Sequence, residues 1–297
     1  MIGPLPIAIP QGMADLTAEA EARAALDAAG KLPDAELDLG AVALQFARID
    51  APEADWRGAE RHLSELARAM VEAAIAAPEA DRGDAARRLA VLAEVLHGRF
   101  GYAGDQEGYD APDNANLIRV IERRRGLPVA LGILWLHAAE AAGWGAHGLD
   151  FPGHFLVGLD GTPGQGVLDP FSGGAPLQAP ELRSLLKRMQ CPQAELRPDL
   201  LAPVGKRDVL LRLQNNLKLR RLQAGDIPAA LRCAQDMLRV APAAAMLWRE
   251  AALMHQRLDE IGAALQCLDR FLALVPPGSE AAQRARLLAV ELRQRLH

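Results

Sequence analysis

The chain has 297 residues, half of them apolar and 24% charged, with a formal net charge of -5; it can bury a substantial core, and its length favours two domains. There is no clustered basic excess for phosphate binding, no run of the ~18 to 20 apolar residues that a membrane helix needs, and no basic start with a long apolar run in MIGPLPIAIPQGM, so the expectation is no nucleic-acid role, no membrane role and a cytoplasmic location. Cys191, Cys233 and Cys267 fit neither a disulfide framework nor a CxxC metal site.

The charge is uneven. Residues 206–297 carry 15 basic and 9 acidic side chains, which leaves the first 205 residues near -11. Such a division describes either two solvated surfaces or an acidic front that attracts a basic back.

Residues 1 to about 14 contain three prolines and no periodic pattern, and are expected to form an irregular arm. Amphipathic helices are predicted over 15–29, 38–49, 55–77 and 83–99, with Leu63, Leu66, Met70 and Ala74 among the apolar positions at helical spacing. From Phe100 the stretch FGYAGDQEGYDAPDNANL reads as a structured loop. Asn114 or Asn116 can cap a helix running to Arg125, and Arg123, Arg124 and Arg125 suit its C-terminal dipole, one of them being tied to an internal carboxylate. An anion site is the alternative for these arginines.

Pro128 fits the first turn of the next helix, predicted over 128–142 and apolar nearly all round, with Gly143 as its stop. His137 within it is expected to be a satisfied core histidine. Strands are predicted at 154–159 and 166–169 around the turn DGTPGQ, with His154, Leu156 and Gly158 on one face and Phe155, Val157 and Leu159 on the other. A short helix at 181–190 follows. In the last third, Ala230, Leu231, Cys233, Leu238 and Pro242 recur at a displacement of 34 residues as Ala264, Leu265, Cys267, Leu272 and Pro276. This is the period of a tetratricopeptide helix pair. Pairs over 208–240 and 243–275 are expected, with a capping helix over 279–296 and both cysteines in one small packing slot.

A His and an Asp on neighbouring strands beside the start of an apolar helix can form a catalytic dyad, here His154 and Asp169. Triad chemistry then needs a nucleophile at the helix start, where the dipole favours a thiolate. Leu127, Pro128, Val129 and Ala130 offer none, and Thr162 and Ser172 are the only aliphatic hydroxyls between 104 and 176. His137, His147 and His154 lack metal-ligand spacing, so no metal and no cofactor is expected.

The stretches NANLIRVIERRRGLPVALGILWLHAAEAAG, GLDFPGHFLVGL, VLDPFSGG and LLRLQNNLKLRRLQAGDIPAAL, in that order, resemble the bacterial SirB-type family, from about residue 35 onward. The resemblance implies an α+β fold: a transglutaminase-like, papain-like helix-plus-antiparallel-sheet domain, preceded by helices and followed by an all-α tetratricopeptide repeat domain. It divides the chain into an arm and leading helix (1–35), a helical subdomain (36–103), a transglutaminase-like core (104–178), a linker with a short helix (179–205) and repeats with a capping helix (206–297). In the wider superfamily a cysteine opens the central helix, with His and Asp on following strands. His154 and Asp169 match that pair, the cysteine's place falls at or beside Pro128, and Ala130 stands where the family commonly has Ser or Thr. The resulting expectation is a non-catalytic module that binds a protein or peptide through its repeats, with Asn114, Glu122, Arg123, Arg124, Arg220 and Arg221 as candidate binding residues. The alternative is a hydrolase or amide-processing enzyme in which His154, polarised by Asp169, acts as general base. The repeat groove is either open or filled by the N-terminal half.

Overall fold

The structure, a computed structural model, describes residues 11–162 and 164–295. Its leading helices are α1 (Gln11–Ala29), α2 (Leu39–Asp50), α3 (Trp56–Ala76), the single turn α4 (Pro78–Asp81) and α5 (Ala85–Ala93), followed by α6 (Leu117–Arg123). Of the expected N-terminal arm, residues 1–10 lie outside the described residues, and α1 begins at Gln11. Short polar residues set the helix starts. The side chains of Asp38, Asp55, Asp84 and Asn116 each accept a first-turn backbone N–H, opening α2, α3, α5 and α6.

Two helix ends differ from expectation. The predicted helix 83–99 breaks after Ala93 into a π-helical turn, Glu94–Arg99, closed by Phe100 N–H on the Val95 carbonyl. The helix expected to reach Arg125 stops at Arg123, because Arg124 is left-handed (φ 58°) with its guanidinium tied to Tyr102 and to His62 Nε2. A guanidinium only donates, so that nitrogen of His62 must accept. Burial, then the charge of Arg124, holds His62 below the usual histidine range.

Two short strands, β1 (Ala103–Gly104) and β2 (Arg125–Gly126), pair in parallel and bring the chain to the buried central helix α7 (Pro128–Ala141). The main sheet comprises β3 (Ala146–Leu149), β4 (Leu156–Leu159), β5 (Gly166–Asp169), β6 (Ala175–Pro176) and β7 (Pro203–Val204). Its order is β6-β5-β4-β3-β7, antiparallel throughout. The β4–β5 hairpin follows the expected pairing, whereas β3, β6 and β7 extend the sheet beyond the two predicted strands. The predicted alternation of faces holds along β4. Val157 and Leu159 enter the main core with α7, and Leu156 enters a second cluster with α8 (Ala179–Met189) on the other face.

His154 does not lie in β4, as expected, but on the bend before it. Gly153, at φ 72°, turns the chain there. What fixes His154 is its neighbour. The Phe155 ring fills the space between two glycines: a Cβ added at Gly132 of α7 would lie 2.3 Å from it, and one at Gly148 of β3 2.7 Å. Gly132→Ala is therefore expected to lose about 2 kcal/mol through overpacking, against a gain of up to about 1 kcal/mol in helix propensity. Thermal denaturation should show a Tm lower by a few degrees; an unchanged or raised Tm contradicts this packing.

The repeats are α9 (Lys206–Gln223), α10 (Ile227–Val240), α11 (Ala245–Arg257), α12 (Ile261–Leu274) and the terminal α13 (Glu280–Gln294). Cys233 and Cys267 are both buried, and burial pushes the Cys233 thiol up to about 11. The first repeat shares the main core, since Val209, Leu210, Leu213 and Leu217 of α9 pack with α7 in one cluster. Asp34 caps α9 from a distance, accepting the Lys206 and Arg207 backbone N–H groups at 2.8 Å each. On the other side α1 packs along α10, with Arg23 on Asp236 and Arg239 on Asp27. The N-terminal half thus covers the α10 side of the first repeat and leaves a cavity along α9 and α11. No helix among the described residues is long and apolar enough to cross a membrane.

Candidate functional site

The start of α7 opens into this cavity. Pro128, at the first helical position, has no N–H to satisfy, and the preceding Leu127 supplies no side-chain cap. Leu131 N–H reaches the Leu127 carbonyl at 3.0 Å, whereas the N–H groups of Val129 and Ala130 have no hydrogen-bond partner among the described residues. The cavity has a volume of about 540 Å³. Pro128, Val129, His154 and Tyr109 line one side, and Arg212, Asn215, Lys218 and Glu250 of the repeats line the other.

His154 and Asp169 are both buried, with Nε2 and Oδ1 2.9 Å apart. The carboxylate also accepts the Phe171 N–H at 2.9 Å and the Ser172 hydroxyl at 2.7 Å. Burial alone would raise the Asp169 carboxyl, but the hydrogen bond and charge of His154, then Ser172 and Phe171, outweigh it and hold the group below the usual carboxylate range. Asp169 is thus an ionised acceptor that fixes the imidazole by Nε2. The ring's Nδ1 has no partner among the described residues, and His154 lines the cavity. Phe171 meets His154 edge-on at 6.1 Å, and Tyr109 meets Phe171 at 5.7 Å. Ser172, committed to Asp169, is no nucleophile for His154. Pro128 and His154 line one cavity, and the side chain at position 128 carries no reactive atom.

Two groups that govern this site escape a reading of the sequence. Arg212 of α9 donates to the His154 carbonyl at 2.6 Å, pairs with Asp150 and lies over the Phe155 ring at 5.7 Å. The first repeat thereby holds the turn that presents the histidine. Lys218, 2% exposed, pairs across the cavity with the half-exposed Glu250 of α11. The LRLQNNLK stretch carries both cations, but its helical period reveals only that it is a repeat helix.

The remaining candidates have intrachain partners. Asn114 donates to Asp105 at 3.0 Å and to the Gly108 carbonyl at 2.7 Å, and Arg123 joins Asn114 at 3.0 Å and Asp105 at 2.7 Å. The Gly108 N–H first, then Asn114 and Arg123, holds the Asp105 carboxyl below the usual range. This network shapes the loop that carries Tyr109, and the Asn114 carbonyl accepts the Leu127 N–H just before α7. Glu122 pairs with Arg119, Arg124 faces Tyr102 and His62, and Arg125 donates to the carbonyls of Gly101 and Arg124. The three consecutive arginines therefore diverge and do not build an anion site. Arg220 donates to the Tyr109 carbonyl at 3.2 Å, and Arg221 pairs with Asp50. Both join the repeats to the first half, and Arg221 also lines a small cavity of about 140 Å³ among α1, α2, α9 and α10. His137 bonds the Leu63 carbonyl at 3.1 Å. Among the described residues no group of three or more His, Cys, Asp or Glu side chains is placed to hold a metal ion.

Comparison with known proteins divides the chain within α9. Residues 58–215 match the transglutaminase-like superfamily, and residues 217–293 match the tetratricopeptide repeat. A UPF0162 protein of Xylella fastidiosa is 34% identical over 184 residues, 61% of this chain and 66% of that protein. A UPF0162 protein of Vibrio cholerae is 32% identical over 225 residues, 75% of this chain and 80% of its own length. The SirB1 protein of Salmonella typhimurium is 25% identical over 183 residues, 61% of this chain and 68% of its own. The matched stretch thus spans just under two thirds of the Xylella relative. No solved structure matches the chain.

Proposed function

The chain belongs to the transglutaminase-like superfamily, in the SirB-type group that joins this domain to tetratricopeptide repeats, and from that membership we propose that it is a non-catalytic protein- or peptide-interaction module. The observation that carries the reading is the cavity itself. Its walls come from both halves, with His154 and Pro128 on one side and the repeat helices α9 and α11 on the other, and the resemblance puts the cysteine's place at or beside Pro128. A segment bound there meets fixed donors and apolar side chains, and among the described residues no thiol or aliphatic hydroxyl lines the cavity.

Leu253, on the exposed side of α11, and Ile75, exposed on α3, supply the test. Leu253→Asp should remove the proteins captured from lysate by the immobilised full-length chain, and Ile75→Asp should not. Equal capture by both variants and the parent contradicts the reading.

A second reading, a hydrolase or amide-processing enzyme, is favoured by one observation: His154 is held by an ionised Asp169 and turns an unpartnered nitrogen toward the cavity. A general base so placed could activate water. An amidase and esterase panel on the parent and His154→Ala separates the two. Indistinguishable rates support the non-catalytic module, and a loss of 100-fold or so in the variant, the scale of general-base catalysis, supports the enzyme.

A further inference from the structure

We propose that the cavity receives the C-terminal carboxylate of a peptide, its last residue at the start of α7 beside His154 and the preceding residues lying along α9 and α11. This rests on the peptide-binding reading and names the chemistry that end of the cavity selects. The first observation is the pair of unpartnered backbone N–H groups, Val129 and Ala130, opening a buried helix of 14 residues. Such a terminus concentrates partial positive charge and attracts an anion. The second observation is independent of the helix. His154 is 6% exposed, its Nε2 is occupied by Asp169, and its Nδ1 has no partner among the described residues although the residue lines the cavity. With Nε2 taken by Asp169, Nδ1 is the one hydrogen-bonding position of this largely buried ring left to a ligand in the cavity.

The Val129 N–H, on the cavity wall, and the imidazole suit the two oxygens of a carboxylate, one donor to each. Bound between Asp169 and the ligand, the ring donates through Nε2 to one carboxylate and through Nδ1 to the other. The charged groups facing this end are Asp169, the Arg212–Asp150 pair and, across the cavity, the Lys218–Glu250 pair. A phosphate dianion is a poorer match, because both cations of the cavity wall already have carboxylate partners.

The rest of the cavity specifies a chain end over a small free acid. Asn215, Lys218 and Glu250 line it and also line an adjoining groove of about 370 Å³, walled by Leu219, Leu222, Leu253 and Met254. From Arg212 to Leu222 the helix rises about 15 Å, the length of four or five extended residues. The Asn215 amide has no partner among the described residues and faces this path, where it can meet a peptide backbone. The bound peptide therefore ends in a free carboxylate and carries apolar side chains about three to five residues before its end.

The test uses the full-length protein on an array of pentapeptides tethered by their N-termini, made once with free carboxylates and once as C-terminal amides. Binding is expected on the free-acid array, for peptides apolar in their first residues, and at least about tenfold weaker on the matching amides, the loss that accompanies one or two charge-assisted hydrogen bonds. His154→Ala should reduce the free acids to the level of the amides, and Leu253→Asp should remove the apolar preference, both variants being checked for native melting. Equal binding of acids and amides, abolished by Leu253→Asp, overturns the carboxylate assignment and leaves peptide capture standing. Absence of binding on both arrays overturns the assignment, while the lysate comparison decides peptide capture separately.

Discussion

Pro128→Cys should yield a thiol that reacts with iodoacetamide at pH 7 more than about tenfold faster than an ordinary surface cysteine, because a helix N-terminus and a neighbouring imidazole together stabilise the thiolate. The native cysteines provide the standards. Cys191 is exposed, whereas Cys233 and Cys267 are buried and burial raises both thiols. The substitution is structurally mild, since the first helical position tolerates many residues and the N–H that cysteine restores is one of those a helix start leaves outside its own hydrogen bonding. Adding His154→Ala should remove the imidazole's share and leave only the smaller enhancement of the helix N-terminus. An ordinary rate in the single variant would mean that the helix start and the imidazole do not cooperate, and the carboxylate site inferred at the same place would lose its basis. Mass spectrometry of the alkylated tryptic peptides resolves the positions.

The same region shows what a single sequence can reveal. Periodicity finds α3 and the repeats because their apolar positions recur over many turns, and α7 is found as a long apolar run between Pro128 and Gly143. The β4–β5 hairpin is legible because two short apolar runs flank DGTPGQ. By contrast, β3 is the four residues Ala146–Leu149, and β6 and β7 are two residues each, too short for any period to register. The dyad is visible because its two members stand 15 residues apart on adjoining segments. The ties of Arg220 to Tyr109 and of Arg221 to Asp50 cross 111 and 171 residues, and composition places no constraint on such pairs. These arginines stand out in sequence as candidate binding residues and are packed against the first half of the fold, where one Arg220 nitrogen keeps no partner among the described residues. The cations that border the cavity, Arg212 and Lys218, occupy unremarked positions of a repeat helix. A site built between two units belongs to their packing, and no local pattern encodes it.

Asp169→Ala should be among the most damaging single changes in the core domain, costing about 3 kcal/mol, because three buried or half-buried donors lose their acceptor at once. His154 Nε2 and the Phe171 N–H share Oδ1, and the Ser172 hydroxyl holds Oδ2. Asp169→Asn keeps an oxygen for the first two, and its amide can donate to the Ser172 oxygen, so its cost at neutral pH should be about 1 kcal/mol or less. The two variants together separate hydrogen bonding from charge. The folded carboxyl lies below the unfolded value of about 3.9, so its contribution to stability is complete above that value and is lost as pH falls through the folded pKa. The stability gap between parent and Asp169→Asn, measured by urea denaturation at pH 6, 5, 4 and 3, should therefore stay constant down to about pH 4 and then close. A gap that widens toward low pH would mean that the carboxyl is protonated in the native protein. His154 would then face the cavity without an ionised partner, and a ring donating from both nitrogens to capture a carboxylate would lose its counter-charge.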